Sequence, residues 1–167
     1  HAYEQLGPDC VQRLNGMFAF AIWDARRRRL FLARDRLGIK PLYYWHNGRS
    51  LIFGSELKAV ITHPAVPRRV DPVALDRFLT LEYIPAPHTI FQDVYKLPPG
   101  HTLTFANGRC TTNSYWQPPT DAGPPRAEAD YLEELTALIH NPVGLRLMSD
   151  VPLGAFLSGG IDSSTVV

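Results

Sequence analysis

Apolar residues in this chain change their spacing several times, and each change marks an element. His1 to Leu6, closed by Gly7-Pro8, reads as the last turns of a helix with a glycine stop. Asp9 is placed to cap a second short helix carrying Cys10, Val11 and Leu14 toward a core. The helical period then gives way to Met17-Phe18-Ala19-Phe20-Ala21-Ile22-Trp23-Asp24, whose aromatic and branched content reads as a buried strand. Residues 25–29 turn it into a second strand, Leu30 to Arg34. A clearer hairpin follows: Leu42 to Trp45, a turn at Asn47-Gly48, and a return over Leu51 to Gly54. Asn-Gly between apolar runs is a strong hairpin signal, with both turn residues expected at φ > 0.

Helical signals come next. Glu56 to Ile61 reads as a short helix ending before His63-Pro64, with Ser55-Glu56 as its cap rather than a catalytic pair. Asp71-Pro72 is a cap-plus-proline start to a helix reaching about Leu81, with Val73, Leu75, Phe78 and Leu79 as its apolar positions. Leu97-Pro98-Pro99-Gly100 is a turn, and Asn107-Gly108 joins His101–Phe105 to Cys110–Trp116 as a third hairpin. Prolines 118, 119, 124 and 125 with Gly123 make residues 117–126 the best boundary in the chain. Beyond it, Ala127 to about Ile139 reads as a helix with Leu132, Leu135, Leu138 and Ile139 on one face. Asn141-Pro142 and Gly144 are expected to stop or kink it, at about 3 and 1 kcal/mol if helical geometry is enforced. Pro152 to Leu157 reads as a short buried strand running into Ser158-Gly159-Gly160-Ile161-Asp162-Ser163-Ser164, with a helix expected to begin at Thr165.

Composition narrows the class. The chain has 167 residues, 45% hydrophobic and 20% charged, which fits a folded globular protein and excludes extended disorder. Its net charge of +1, from 17 Lys+Arg against 16 Asp+Glu, argues against nucleic acid or an anionic membrane as partner. Arg26 to Arg29 is a basic run at a hairpin tip without interleaved aromatics, and reads as a solvated turn. No apolar run approaches the roughly 20 residues needed to span a bilayer. Two cysteines, Cys10 and Cys110, build no disulfide framework and point to a reducing, cytoplasmic setting. His63, His88, His101 and His140 show no metal-ligand spacing. The chain begins at His1, not methionine, and ends in apolar Thr165-Val166-Val167, so we read it as an internal stretch of a longer protein.

The candidate chemistry lies at the C-terminal end. Two glycines let backbone N–H groups converge on a phosphate, and the amides of a following helix favour the anion. Ser158, Ser163 and Ser164 add hydroxyls, while Asp162 supplies a hard oxygen suited to Mg²⁺. The G-x-x-x-x-G-K-[ST] pattern is absent, and no lysine follows Lys96. The alternative is a plain serine-glycine turn between a strand and a helix.

Ser158-Gly159-Gly160-Ile161-Asp162-Ser163 resembles the S-G-G-x-D-S pyrophosphate loop of the ATP pyrophosphatase superfamily. The preceding Ser149-Asp150-Val151-Pro152-Leu153-Gly154-Ala155-Phe156-Leu157 resembles the glutamine-dependent asparagine synthetases. So do Leu14 to Asp24, Ala33 to Tyr44, Phe53 to Ala59 and Leu97 to Gly100. The resemblance implies an α+β fold, part of an Ntn-hydrolase-like αββα sandwich, followed by the start of an α/β ATP-pyrophosphatase domain. It divides the chain into the C-terminal half of a class II glutaminase domain (1–116), a linker (117–126) and the start of a synthetase domain (127–167).

The family's chemistry follows as expectation. A glutaminase domain releases ammonia using an N-terminal cysteine. A synthetase domain adenylates the side-chain carboxylate of aspartate with ATP, and ammonia displaces AMP to give asparagine. The resemblance makes Ser158, Gly159, Gly160, Asp162 and Ser163 the ATP pyrophosphate loop, with Asp162 the Mg²⁺ ligand and Leu157 a nucleotide contact. The implied partners are ATP, aspartate and glutamine, and the resemblance allows a homodimer. The glutaminase nucleophile has no counterpart here, because Cys10 falls within a helix and Cys110 within a strand, both read as structural thiols. No complete active site is therefore expected in this chain alone. Arg34-Asp35-Arg36 and Lys40 resemble a segment near the family's domain junction; structural ion pairing is the role read for them, with tunnel or interface contact as the alternative. A homologue acting on another carboxylate shares these motifs, and a non-catalytic dimerisation or regulatory module is the reading from another class.

Overall fold

One strand serves two cores, because successive side chains leave its opposite faces. In the computed structural model, which describes residues 1–120 and 123–167, that strand is β2 (Arg29–Arg34). Its Phe31 and Ala33 leave by one face and its Leu32 by the other, each fully buried. β2 pairs antiparallel with β1 (Ala19–Asp24), setting Ala21 opposite Leu32, and with β6 (His101–Ala106), setting Leu32 opposite Leu103. β7 (Arg109–Ser114) completes the sheet in the order β1-β2-β6-β7. A second antiparallel sheet has the order β4-β3-β5, from Leu51–Gly54, Tyr43–His46 and Val94–Lys96.

Three clusters of apolar side chains fix the order of layers. Leu32 and Leu103 of the first sheet meet Tyr44 of the second, with Leu42 and Leu97 beside them. On the outer face of the first sheet, Phe31 and Ala33 pack on Cys10 and Val11 of a short 3-10 helix (Gly7–Arg13) that follows α1 (Ala2–Leu6). On the outer face of the second, Trp45 and Val94 pack on Val60 of α2 (Leu57–Thr62), with Val66. The succession is helix, sheet, sheet, helix: a mixed α/β fold with antiparallel sheets. Each large side chain so buried contributes about 1.5–3 kcal/mol relative to exposure.

The chain divides into two compact units, His1–Pro118 and Pro119–Val167. The second contains α4 (Glu128–Arg146) and α5 (Ile161–Val166). Of the proline-rich stretch 117–126, residues 121 and 122 lie outside the described residues; the other eight form neither helix nor strand.

Several expectations are corrected. The segment after Gly7 is a 3-10 helix beginning at Gly7-Pro8, so Asp9 lies inside it and caps nothing. β1 starts at Ala19 and is not a buried strand: it lies at a sheet edge, and Trp23 is 60% exposed. Asn47-Gly48 is not a two-residue turn. Asn47 has negative φ, its Oδ1 accepts from the N–H groups of Arg49 and Ser50, and only Gly48 is left-handed in a four-residue loop. Asn107-Gly108 is the true two-residue turn, with φ of 50° and 74°. α2 begins after Glu56, with no side-chain cap bond from Ser55 or Glu56.

In the second unit α4 runs through Pro142 to Arg146. Only four residues follow the proline inside the helix; its missing N–H removes the single bond to the Leu138 carbonyl, and the helix ends one turn later. No strand forms over Pro152–Leu157, and Phe156 is almost fully exposed. A strand needs a neighbour for its N–H and C=O groups, and the described residues of this unit hold none. α5 begins at Ile161, four residues earlier than expected.

Candidate functional site

The glycine-serine loop is shaped by one left-handed residue and one helix start. Gly159 has φ +79°, a conformation side chains rarely adopt. Gly160 is extended and forms the N-cap of α5, its carbonyl accepting from the N–H of Ser164 at 3.0 Å. Asp162 and Ser163 therefore stand in the first helical turn. The Ser163 hydroxyl donates to the Gly160 carbonyl at 3.1 Å and lies 2.8 Å from the Ser158 hydroxyl. With the Ser163 proton so engaged, Ser158 is the donor in the pair. The two hydroxyls thus clasp the loop across both glycines.

The loop joins Ser158, Gly160 and Ser163 by direct bonds and sets Asp162 in the same turn. Leu157, 61% exposed, directly precedes it. Residues 157–166 carry no lysine or arginine. The positive potential here comes from the first-turn N–H groups of α5, which lack helical acceptors. The exposed Asp162 carboxylate is the one hard anionic ligand of this segment. Hydroxyls, amides and a single carboxylate suit a phosphate chain that brings its own Mg²⁺, since Mg²⁺ commonly binds through one or two carboxylates plus phosphate oxygens. A separate cavity of about 360 Å³ between α4 and the end of α5, lined by Ile139, Val143, Leu147 and Val166, takes in no residue of 157–163.

In the first unit, the Arg34–Lys40 segment is organised differently from the ion pairing expected. Asp35 is buried, and its carboxylate accepts from the backbone N–H groups of Phe18 (3.2 Å), Ile39 (2.9 Å) and Lys40 (2.9 Å). Burial pushes this carboxyl up, but the N–H groups of Lys40, Ile39, Phe18 and Gly38 outweigh it and hold the group below the usual carboxylate range. Arg34 likewise spends its guanidinium on carbonyls, those of Lys40 (2.8 Å), Leu97 (2.7 Å) and Gly38 (2.7 Å). Tyr115 Oη closes the segment on the Arg34 carbonyl at 2.8 Å. Sequence reasoning missed Asp35 as an anchor. The signal was an aspartate at the end of an apolar strand followed by Gly38 and Pro41, the composition of a side-chain-stabilised turn.

The basic run at residues 26–29 is only partly a solvated turn. Asp24 Oδ2 accepts from Arg27 Nη1 and Tyr3 Oη, both at 3.2 Å, while its Oδ1 takes the Arg27 N–H at 3.0 Å. Arg29 lies 3.5 Å from the same carboxylate and donates to Tyr3 Oη. The Arg27 N–H is the main cause of the lowered Asp24 pKa. Cys10 is buried and Cys110 half-buried, both free, and burial raises both thiols, as structural cysteines require. Among the described residues no group of three or more His, Cys, Asp or Glu side chains could hold a metal ion. No helix there is long and apolar enough to cross a membrane.

Residues 1–116 match the family described as glutamine amidotransferase domain, and residues 134–167 the family described as asparagine synthase. The chain is similar to asparagine synthetase (glutamine-hydrolyzing) 3 of Bacillus subtilis, at 41% identity over 99% of this chain and 27% of that protein. It is 40% identical to the putative asparagine synthetase (glutamine-hydrolyzing) 2 of Methanocaldococcus jannaschii, over 99% of this chain and 33% of that one. A third relative, Amidase chry2 of Gibberella zeae, is 35% identical over 98% of this chain and 24% of its own length. The chain therefore spans between about a quarter and a third of the curated relatives it matches.

Proposed function

The chain belongs to the glutamine amidotransferase domain family, and from that membership we propose that it is part of a glutamine-dependent asparagine synthetase. The observation that carries this reading is the continuous similarity, over 99% of the chain, to proteins named as such synthetases. The overall reaction takes glutamine and water to glutamate and ammonia, and then ATP, aspartate and ammonia to asparagine, AMP and pyrophosphate. Aspartate's carboxylate has a poor leaving group, and adenylation supplies a good one before ammonia attacks.

Within that reading, residues 1–116 are the C-terminal half of a class II glutaminase domain of the Ntn-hydrolase type, and the helix–sheet–sheet–helix layering supports this. Residues 117–126 are the linker, and 127–167 open the ATP-pyrophosphatase domain. Ser158, Gly159, Gly160 and Ser163 hold the pyrophosphate portion of ATP, and Leu157 lies against the nucleotide. The hydroxyls of Ser158 and Ser163 orient the phosphate oxygens, and the α5 amides stabilise charge that grows on the leaving pyrophosphate. Mg²⁺, held by Asp162, neutralises the phosphate chain when bound. The enzyme works in the cytoplasm.

The test uses the full-length protein. Asp162→Ala abolishes Mg-ATP binding and pyrophosphate release while glutaminase activity persists; unchanged ATP affinity in that variant contradicts the assignment. A second reading is favoured by the similarity to Amidase chry2: the same chemistry applied to a carboxylate other than aspartate's. Pyrophosphate release that needs ATP and glutamine but ignores aspartate supports that alternative. A non-catalytic module releases no pyrophosphate with any acceptor.

A further inference from the structure

The tripeptide Asn-Gly-Arg occurs twice, at residues 47–49 and 107–109, at the tips of two hairpins that meet. They meet closely: a Cβ on Gly108 would stand 2.2 Å from the Gly48 carbonyl oxygen. Asn-Gly is a labile pair, because glycine, lacking Cβ, leaves its amide nitrogen unhindered for attack on the preceding side-chain carbonyl. Since Gly-Arg follows both asparagines, the local sequence gives little reason for their reactivities to differ. The fold gives three.

First, Asn47 Oδ1 accepts from the N–H groups of Arg49 (3.0 Å) and Ser50 (2.9 Å). A side chain bonded to the amides two and three residues on is folded back across the intervening Gly48 amide. Two N–H donors converging on one carbonyl oxygen are also the arrangement that stabilises an oxyanion forming there. The Asn107 side chain holds no hydrogen bond among the described residues. Second, Asn47 opens a four-residue loop between the paired His46 and Leu51, whereas Asn107-Gly108 is a two-residue turn closed by the pair Ala106 and Arg109. Ring closure at Asn107 has to swing Gly108 out of a left-handed turn that the Gly48 carbonyl already crowds. Third, Gly48 is exposed and Gly108 only half-exposed, so solvent base reaches the Gly48 amide more readily.

We propose that Asn47 is a self-modifying site, converted through a succinimide to aspartate and isoaspartate with loss of ammonia, while Asn107 is held inert by its turn. The Gly48 nitrogen gives its proton to solvent base and bonds to Asn47 Cγ. Oδ1 takes up the electron pair in the grip of the Arg49 and Ser50 N–H groups. The carbonyl then re-forms, the Cγ–Nδ2 bond breaks, and Nδ2 leaves as ammonia with a proton from solvent. Water opens the ring at either carbonyl, so asparagine and water become a carboxylate and ammonium. The product places a negative charge at the hairpin tip and, as isoaspartate, one extra backbone carbon beside the Gly48–Gly108 contact. The inference does not depend on the chemistry proposed above, since none of these residues belongs to the glycine-serine loop.

The test is incubation of the full-length protein in mildly alkaline buffer, folded and in urea, followed by peptide mapping. Mass spectrometry reads the gain of one mass unit at each asparagine, and labelling by isoaspartyl methyltransferase reads the isoaspartate. In urea the two sites convert at similar rates, because both precede Gly-Arg. In the folded protein Asn47 converts about tenfold faster than Asn107 or more. Ser50→Pro removes one N–H donor to Asn47 Oδ1 and slows Asn47 about tenfold while Asn107 keeps its rate. The wild-type comparison of folded and unfolded protein stands whether or not that variant folds. Equal rates at the two sites in the folded protein, a faster Asn107, or an Asn47 that stays intact overturns the proposal. So does a folded Ser50→Pro variant whose Asn47 reacts as fast as the wild type's.

Discussion

Asp35 is the residue whose removal the structure makes most consequential outside the apolar core. It is 1% exposed, and its two carboxylate oxygens satisfy three backbone N–H groups from two separate segments, one at the start of β1 and one in the 38–40 loop. Its own backbone adds bonds to Phe18, Gly38 and Gly100. Asp35→Ala leaves three N–H donors without acceptors; each orphaned buried group costs about 1–3 kcal/mol, and with partial relaxation the total is about 3–5 kcal/mol. Asp35→Asn can keep Oδ2 as acceptor for Phe18 and Lys40 but turns an NH₂ toward the Ile39 N–H, so about 1–3 kcal/mol is lost. Urea unfolding followed by tryptophan fluorescence is the assay, because Trp23, Trp45 and Trp116 all lie in the first unit. The sign with pH is also set. A carboxyl held below its unfolded pKa contributes stability above that value, about 3.9 for aspartate, and loses it as pH falls through the folded value. The wild type therefore loses this stability in acid below about pH 4, and Asp35→Asn lacks that component. A loss under about 1 kcal/mol for Asp35→Ala at pH 7 refutes the reasoning.

Other positions give separate tests. Gly108 has φ +74°, and a Cβ there would come within 2.2 Å of the Gly48 carbonyl oxygen, so Gly108→Ala costs more than the ~1–2 kcal/mol of left-handed strain alone. Gly48→Ala, whose Cβ clears Gly108 by 3.9 Å, costs only that strain, and equal losses in the two variants by urea unfolding count against the hairpin contact. Asp71 Oδ1 caps the helix α3 (Pro72–Leu81) by accepting from the Val73 and Ala74 N–H groups, so Asp71→Ala costs about 1 kcal/mol, with Asp71→Asn restoring most of it in the same assay. Burial pushes the Tyr44 and Tyr115 phenols up to about 12. Both contribute stability that is complete below about pH 10, the unfolded value, and is lost as pH rises toward 12. Absorbance titration of Tyr44→Phe at 295 nm should lose amplitude from the highest-pH component; loss from the component near pH 10 contradicts the burial argument.

Alternation was the most legible feature of the first unit: the three hairpins form where apolar runs and turn residues placed them. Turn chemistry was less legible, because Asn47-Gly48 and Asn107-Gly108 are the same dipeptide. The Asn47 side chain holds the N–H groups of Arg49 and Ser50, while Asn107 itself takes positive φ. Exposure was hidden for a related reason. Trp23 and Leu79 have the composition of core residues, yet no element among the described residues covers them. Local rules also overreached at Pro142, where a proline one turn from the helix end removes one bond without ending the helix, and over 152–157, where an apolar run has no neighbouring strand among the described residues of its unit. At the glycine-serine loop, the sequence placed the residues together but set the helix start too late, which left the Ser158–Ser163 clasp unforeseen. Asp35 was misread because its neighbours Arg34 and Arg36 suggested ion pairs, whereas backbone N–H groups supply its partners.

The most direct test of the central claim is the product balance of the full-length protein supplied with ATP, Mg²⁺, glutamine and aspartate. The account predicts one AMP, one pyrophosphate and one glutamate for each asparagine formed, with pyrophosphate release absent when aspartate is left out. ADP and inorganic phosphate in place of AMP and pyrophosphate, or no ATP cleavage while glutamine is hydrolysed, would contradict it.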